Sequence, residues 1–286
     1  MPRSVHYVDF PVRIREVEVL RRTQVTPTMV RVTLGGPGAA GFESAIADEH
    51  VKLIFPDPGT GELRVPVQDP DDPDELVWPR PMPTSREYTV RAHRPDVQEI
   101  DIDFVVHGDG LASGWAERAE PGDRVHVAGP PGGFQVSDGY DFRIVAGDET
   151  ALPAIARIVA ALPRDSRGHV VVEVFDEASE QPLDAPDGVD VTWVHGFGRA
   201  GDAWGEAVVG TAIPAGAVTH VWLAGEAGAI RPVRRWLRDE ARIGKEHSSV
   251  TGYWKRGLAD THEHLDEDDE DDEDDDVAEE DLVGAH

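Results

Sequence analysis

The chain has 286 residues, 40% of them hydrophobic and seven of them Trp, which is enough for two domains with their own cores and too apolar for a disordered protein. Lys and Arg number 27 against 56 Asp and Glu; 14 of the acids fall in residues 265–286, and 27 bases against the remaining 42 acids leave a body of net charge −15, which argues against nonspecific binding to nucleic acid or an anionic membrane. There is no Cys, so disulfides, thiolate catalysis, Cys-ligated zinc and iron–sulfur clusters are excluded, and any redox chemistry must come from a bound cofactor.

The N-terminus, MPRSVHYVDFPVRIREVEVL, lacks the continuous apolar core of a signal peptide, and no stretch approaches ~18 uninterrupted apolar residues, so a cytoplasmic protein with no integral membrane segment is expected. Strands follow: VRIREVEVLRRTQV and MVRVTLGG flank a Thr-Pro-Thr break, and HVKLIFPDPGTGELRVPV reads as a hairpin turning on Pro-Gly. Residues 69–83, rich in Pro and acid, read as an exposed loop with no element. In QEIDIDFVVHG, Ile100, Ile102 and Phe104 alternate with Asp101 and Asp103, the period of a half-buried strand. One helix is expected in this half, where Leu111, Trp115 and Ala119 recur at four-residue spacing before Pro121-Gly122. Short strands without long helices predict a β-barrel or sandwich.

From about Phe142 the pattern changes. FRIVAGDETALPAIARIVAALP reads as strand, loop and helix; GHVVVEVFD, GVDVTWVHG and THVWLAGEAG are apolar, β-branched runs, and AIRPVRRWLRDEARIG is an amphipathic helix. Strands alternating with helices predict a parallel sheet covered on both faces. Three segments result: a β-rich domain over 1–140, an α/β domain over 141–258, and an acidic tail over 259–286 expected to be disordered because its like charges repel.

Candidate chemistry lies in four places. On a strand through REYTVR, Arg86, Tyr88 and Val90 share one face while Glu87, Thr89 and Arg91 share the other. A ring two positions from a guanidinium suits a planar ligand with a phosphate, and cross-strand pairing with Asp101 or Asp103 explains these arginines equally well. HGDGLASGW puts Gly, Ala112 and Ser113 at a helix start, where free N–H groups receive a phosphate or Ser113 acts as an N-cap. AGDETAL follows a strand and opens a helix without the GxGxxG fingerprint, and LAGEAG repeats that placement with Glu226 past the strand end. Loops at 147–150 and 225–228 are therefore expected to share one crevice, with structural turns as the alternative. No metal site is assigned, since His107, His126 and His195 lack ligand spacing, and no G-x-S-x-G elbow or Walker loop occurs.

The β-rich half carrying Arg-x-Tyr-Thr, followed by an α/β half with a nucleotide loop, resembles the ferredoxin-reductase superfamily, and more closely the siderophore-interacting protein family of FAD-containing ferric-siderophore reductases. The resemblance is carried by HVKLIFP, REYTVR, DIDFVVHGDGLASGWA, GDRVHVAGPPGGF, GDETALPAIARI, AGEAGAIRPVRRWL and GYWKRG, in that order, over residues 12–258. It implies an N-terminal antiparallel barrel for FAD and a C-terminal parallel-sheet domain for NAD(P)H. Arg86, Tyr88 and Thr89 would hold FAD, with Tyr88 on the ring and Thr89 near its reactive N5 edge. Asp103, Val105 and His107 would line the flavin, and Ala112 and Ser113 would meet its pyrophosphate.

By the same resemblance Gly147, Asp148, Thr150 and Glu226 would border the nicotinamide nucleotide, and Tyr253 and Trp254 would close over the flavin. Lys52, Lys255 and Arg256 would face an anionic ferric siderophore. Leu111 stands where the family usually shows Pro, and Pro131 where it often shows Arg. The implied reaction passes electrons from NAD(P)H through FAD to Fe(III), weakening its bonds to hard oxygen ligands. Asp176 and Glu177 after a parallel strand oppose a 2′-phosphate, Arg199 offsets them, and the resemblance leans to NADPH. A monomer is expected. A general flavin reductase with another acceptor, and a noncatalytic binder using its acidic tail, remain open.

Overall fold

The computed structural model describes residues 5–106, 110–198 and 203–257. The expected acidic tail, Arg199 and His107 lie outside the described residues.

Strand β1 (Val5–Asp9) is followed by β2 (Ile14–Thr26), β3 (Met29–Gly35), β4 (His50–Phe55), the short β5 (Val67–Gln68) and β6 (Leu76–Val77), β7 (Thr84–Arg94) and β8 (Glu99–Val105). Helix α1 (Leu111–Arg118), β9 (Arg124–Ala128) and β10 (Gly132–Val136) complete this half. Six strands close into an antiparallel barrel in the order β2-β3-β8-β7-β4-β9, and β1 pairs with β10 as a separate ribbon. The period-two pattern of β8 is realised: Ile100, Ile102 and Phe104 enter the barrel core with Val32, Leu34, Leu53 and Val90, and Leu111 and Trp115 of α1 pack against it.

The outward residues of β8 are also buried. Pairing with β3 sets Asp103 opposite Arg31 and Asp101 opposite Thr33. Arg31 holds Asp103 through Nε at 2.6 Å and Nη2 at 2.8 Å, while Asp101 takes Thr33 Oγ1 and both terminal nitrogens of Arg94 at 2.7 Å. A register shift in β7 between Val90 and Ala92 leaves Arg91 unopposed by β8, with its Nε 3.7 Å from Asp103. Cross-strand pairing is thus the outcome for Arg91.

Two expectations are corrected. The segment after β4 does not return as its hairpin partner: β4 pairs with β7 and β9, and β5 pairs with β6. Asp57–Thr60 does turn, capped by the Asp57 carboxylate, but Leu63 to Pro66 form no ladder with β4 because both its edges are taken. The loop at 69–83 likewise contains β6, anchored by Arg13 Nη2 on Asp74 at 2.9 Å and Gln68 Nε2 on Glu75 O at 2.7 Å.

The second half comprises β11 (Phe142–Asp148), α2 (Leu152–Ala161), β12 (Arg167–Val174), β13 (Gly188–His195), α3 (Ala203–Val209), β14 (Thr219–Glu226), α4 (Ala227–Trp236) and β15 (Ser248–Trp254). All five strands are parallel, in the order β13-β12-β11-β14-β15. One face buries Val145, Val170 and Trp222 under Leu152 and Ile155 of α2, and the other buries Ile144, Val171 and Leu223 under α3 and α4. Strand β15 and helix α3 are absent from the sequence reading. Ser248, Ser249, Thr251 and Gly252 give β15 no apolar period, and its ladder with β14 alone makes it a strand.

The two halves are tied together. Val105 and Met29 of the barrel join the apolar cluster of the second half. Arg157 of α2 donates to Val90 O at 2.6 Å and Ser44 Oγ at 3.1 Å, and lies 3.5 Å from Glu49, which is fully buried. Trp222 Nε1 donates to Asp48 at 3.2 Å, and Thr28 Oγ1 donates to buried Glu149. Among the described residues no helix is long and apolar enough to cross a membrane.

At the amino ends of these strands His220 is 3% exposed, its ring 5.2 Å from that of Tyr140. Burial, then the nearby Arg143 and His247, push its pKa down from the ordinary 6.5 to about 3. The unfolded chain therefore binds a proton that the native protein refuses, and stability is lost as pH falls from 6.5 towards 3. Replacing His220→Gln should flatten the urea-melt stability curve between those values by about 1 kcal/mol per pH unit.

Candidate functional site

From β11 the chain proceeds outward through β12 and β13 on one side, and β14 and β15 lie on the other. The order reverses between β11 and β14, which opens a crevice at their carboxyl ends, the position where open parallel sheets take ligands. Backbones converge there. A Cβ on Gly147 would stand 2.2 Å from Ala224 O, and one on Gly225, whose φ is +149°, would stand 2.6 Å from Asp148 Oδ2.

Asp148 closes the floor of the crevice and is 1% exposed. Its Oδ1 accepts from Thr150 N at 2.9 Å and Thr150 Oγ1 at 2.5 Å, and its Oδ2 accepts from Glu226 N and Trp254 Nε1, both at 2.8 Å. Burial pushes this carboxyl upward, and the four donors oppose that by favouring the charged form. Glu226 caps α4 through Ala229 N at 2.8 Å and with its other oxygen accepts from Arg256 N at 3.0 Å. Gly147, Asp148, Thr150, Glu226, Trp254 and Arg256 are thereby assembled around one crevice.

The barrel supplies the facing wall. Tyr88 packs on the barrel core, its ring 4.4 Å from that of Phe104, which in turn meets Trp115 at 5.7 Å. Burial raises its phenol well above the ordinary tyrosine range. Arg86 Nη1 donates to Ser85 O at 2.7 Å. Thr89, 7% exposed, lies beside the phenol of Tyr253, which burial raises strongly, so β7 and β15 meet at this point.

Helix α1 begins on Gly110, which is extended and contributes no side-chain cap, and its first turn contains no acid. Ser113 does not act as the N-cap: its Oγ donates to Gly110 O at 3.0 Å. The first-turn N–H groups at Leu111, Ala112 and Ser113 thus have no capping side chain from Gly110, a donor set suited to a phosphate. These features fit a dinucleotide whose planar ring lies near Tyr88 and Thr89.

Other expected residues stand apart from it. Asp103 is held by Arg31, and Val105 points into the second apolar cluster. Lys52 lies on β4 with its Nζ 3.0 Å from Glu87 and 5.5 Å from the centroid of the Trp78 ring. Lys255 follows β15 directly. Asp48, Glu49 and Glu149, which tie the halves together, and Trp78 went unread in the sequence. Glu149 carried a signal, since an acid next to Asp148 at the start of an apolar helix faces the interior.

Two families match the chain in tandem: the siderophore-interacting FAD-binding domain over residues 18–134 and the siderophore-interacting protein over residues 140–257. The ferric vibriobactin reductase ViuB of Vibrio cholerae is 34% identical over 246 residues, covering 85% of this chain and 90% of its own. The NADPH-dependent ferric-chelate reductase of Escherichia coli is 32% identical over 257 residues, covering 88% and 97%. The crystal structure of a siderophore utilization protein from T. fusca superposes with a TM-score of 0.82 at 39% identity, covering 89% of this chain and 97% of that one.

Since Asp148 holds donors from its own loop, β14 and β15, Asp148→Ala should lower stability by about 3 kcal/mol in urea melts and alter Trp254 fluorescence, whereas Asp165→Ala at an exposed position should do neither.

Proposed function

The chain belongs to the siderophore-interacting protein family, and from that membership we propose that it is an FAD-dependent reductase carrying electrons from NAD(P)H to Fe(III) held in a siderophore. The observation that carries the reading is the crevice between β11 and β14, faced by the barrel, whose Asp48 accepts from Trp222 of β14. Bound FAD supplies the exchange between a two-electron hydride and single electrons. One NAD(P)H thus serves two Fe(III) and releases one proton.

The protein's part is to hold and exclude. Arg86 is assigned to an FAD phosphate, the N–H groups of Ala112 and Ser113 to the pyrophosphate, and Tyr88 and Thr89 to the ring and its N5 edge. Asp103 and Val105 support that wall from behind by fixing β8, one through Arg31 and the other through the apolar contact between the halves. Gly147, Asp148, Thr150 and Glu226 form the nicotinamide side, where the missing side chain of Gly147 lets β11 and the start of α2 close up against Ala224 of β14. Tyr253 and Trp254 cover the crevice and keep water from it.

In this reading residues 1–140 are the flavin half, 141–258 the nicotinamide half and 259–286 an appended tail. NADPH is taken as the donor, as the E. coli relative's name states for that protein. Both halves of the crevice come from one chain, so a monomer in the cytoplasm suffices. Lys52, Lys255 and Arg256 rim the approach for the ferric siderophore.

Purified protein should show flavin absorbance, bleach with NADPH under anaerobic conditions and regain colour with a ferric siderophore. Arg86→Ala should weaken FAD binding about tenfold or more, through a lost charge-assisted bond to phosphate. A protein that stays colourless after incubation with FAD would refute the assignment.

A further inference from the structure

Resting on that reading of the crevice, we infer that the substrate is a neutral or cationic ferric chelate of the hydroxamate type, and that the charge at the approach disfavours polyanionic tris-catecholates. The starting observation is that Lys52 is already matched. Strand pairing sets Lys52 opposite Glu87, and Nζ lies 3.0 Å from Glu87 Oε1, while His50 Nε2 lies 3.6 Å from Oε2 of the same carboxylate. The pair is built into the β4–β7 register and brings no net positive charge to the approach.

Its neighbours add negative charge. The Trp78 ring that flanks Lys52 is delivered by the segment from Val67 to Met82, which holds five acids against one base, Arg80; one of the acids, Asp74, is matched by Arg13. Burial first, and then the charge of Glu87 among others, raises the phenols of Tyr7 and Tyr253, which sets the Lys52–Glu87 pair on the wall that Tyr253 closes. Against these acids stand Lys255 and Arg256, the latter beside Glu226.

A cleft bearing one sign of charge raises the local concentration of ligands of the other sign and repels its own, over a Debye length of about 8 Å at physiological salt. Three hydroxamates balance the charge of Fe(III), and an amine tail makes the complex positive. Three catecholates leave it triply negative. The exposed apolar side chains beside Trp78, Val67, Val77 and Met82, offer contact to aliphatic linkers of such a chelate.

Redox-inert Ga(III) complexes separate binding from electron transfer. With FAD-loaded, full-length protein, quenching of Trp fluorescence should show the Ga(III) complex of an amine-bearing tris-hydroxamate binding at least about tenfold tighter than that of a hexadentate tris-catecholate at low salt. Added salt should weaken the first and strengthen the second. Glu87→Gln should tighten the tris-catecholate several-fold and loosen the hydroxamate. Tighter binding of the tris-catecholate, weakening with salt, would overturn the substrate class alone. Binding of neither complex, with no Fe(III) turnover by the NADPH-reduced protein, would overturn the reductase reading together with this one.

Discussion

A carboxylate with no cation beside it among the described residues sits at the centre of this structure. Asp148 is almost wholly buried and meets only N–H and O–H donors, from Thr150, the backbone of Glu226 and the indole of Trp254. Removing a carboxylate from water is costly, and the cost is offset here only while those donors converge. The end of β11, the start of α4 and the last turn of β15 are therefore locked relative to one another. Gly225 takes a positive φ beside it, and a side chain there would collide with the carboxylate, so both constraints require glycine. The crevice owes its shape to this one group.

Comparable carboxylates join the two halves. Glu49 meets Arg157 across the interface, Asp48 accepts from Trp222, and Glu149 accepts from Thr28. Single mutations at such positions leave a partner buried and unsatisfied, so their effect exceeds that of a surface ion pair. They hold the barrel wall against the sheet ends without requiring a ligand to do so. Preorganisation of this kind suits a site where a cofactor performs the chemistry and the protein sets distance and dryness.

The acidic composition acquires a second meaning in three dimensions. Part of it is structural, turned inward onto donors or arginines, as with Asp101 under Arg94 and Thr33. Another part cancels basic side chains on the surface, as Glu87 does for Lys52. An expectation of a basic patch built from residue positions alone counts Lys52, Lys255 and Arg256 and omits what each one faces. Local charge depends on pairing, and pairing depends on register.

Much was legible in the chain. Alternation of Ile100, Ile102 and Phe104 against two acids predicts a half-buried strand, because side chains of a strand point to opposite faces, and the apolar β-branched runs after Phe142 predict a parallel sheet for an equally local reason. Absence of Cys confined redox chemistry to a cofactor, and the short motifs from REYTVR to GYWKRG pointed to the family. Other features were decided only by folding. Strand β15 has no apolar period and exists through its ladder with β14; the segment after β4 cannot pair there because β7 and β9 already occupy both edges. The convergence of Thr150, Glu226 and Trp254 on Asp148, and the opposition of Lys52 to Glu87, join residues far apart in the chain. Sequence determines which groups are available and the period on which they recur, whereas burial and register, properties of the whole fold, decide which charges meet.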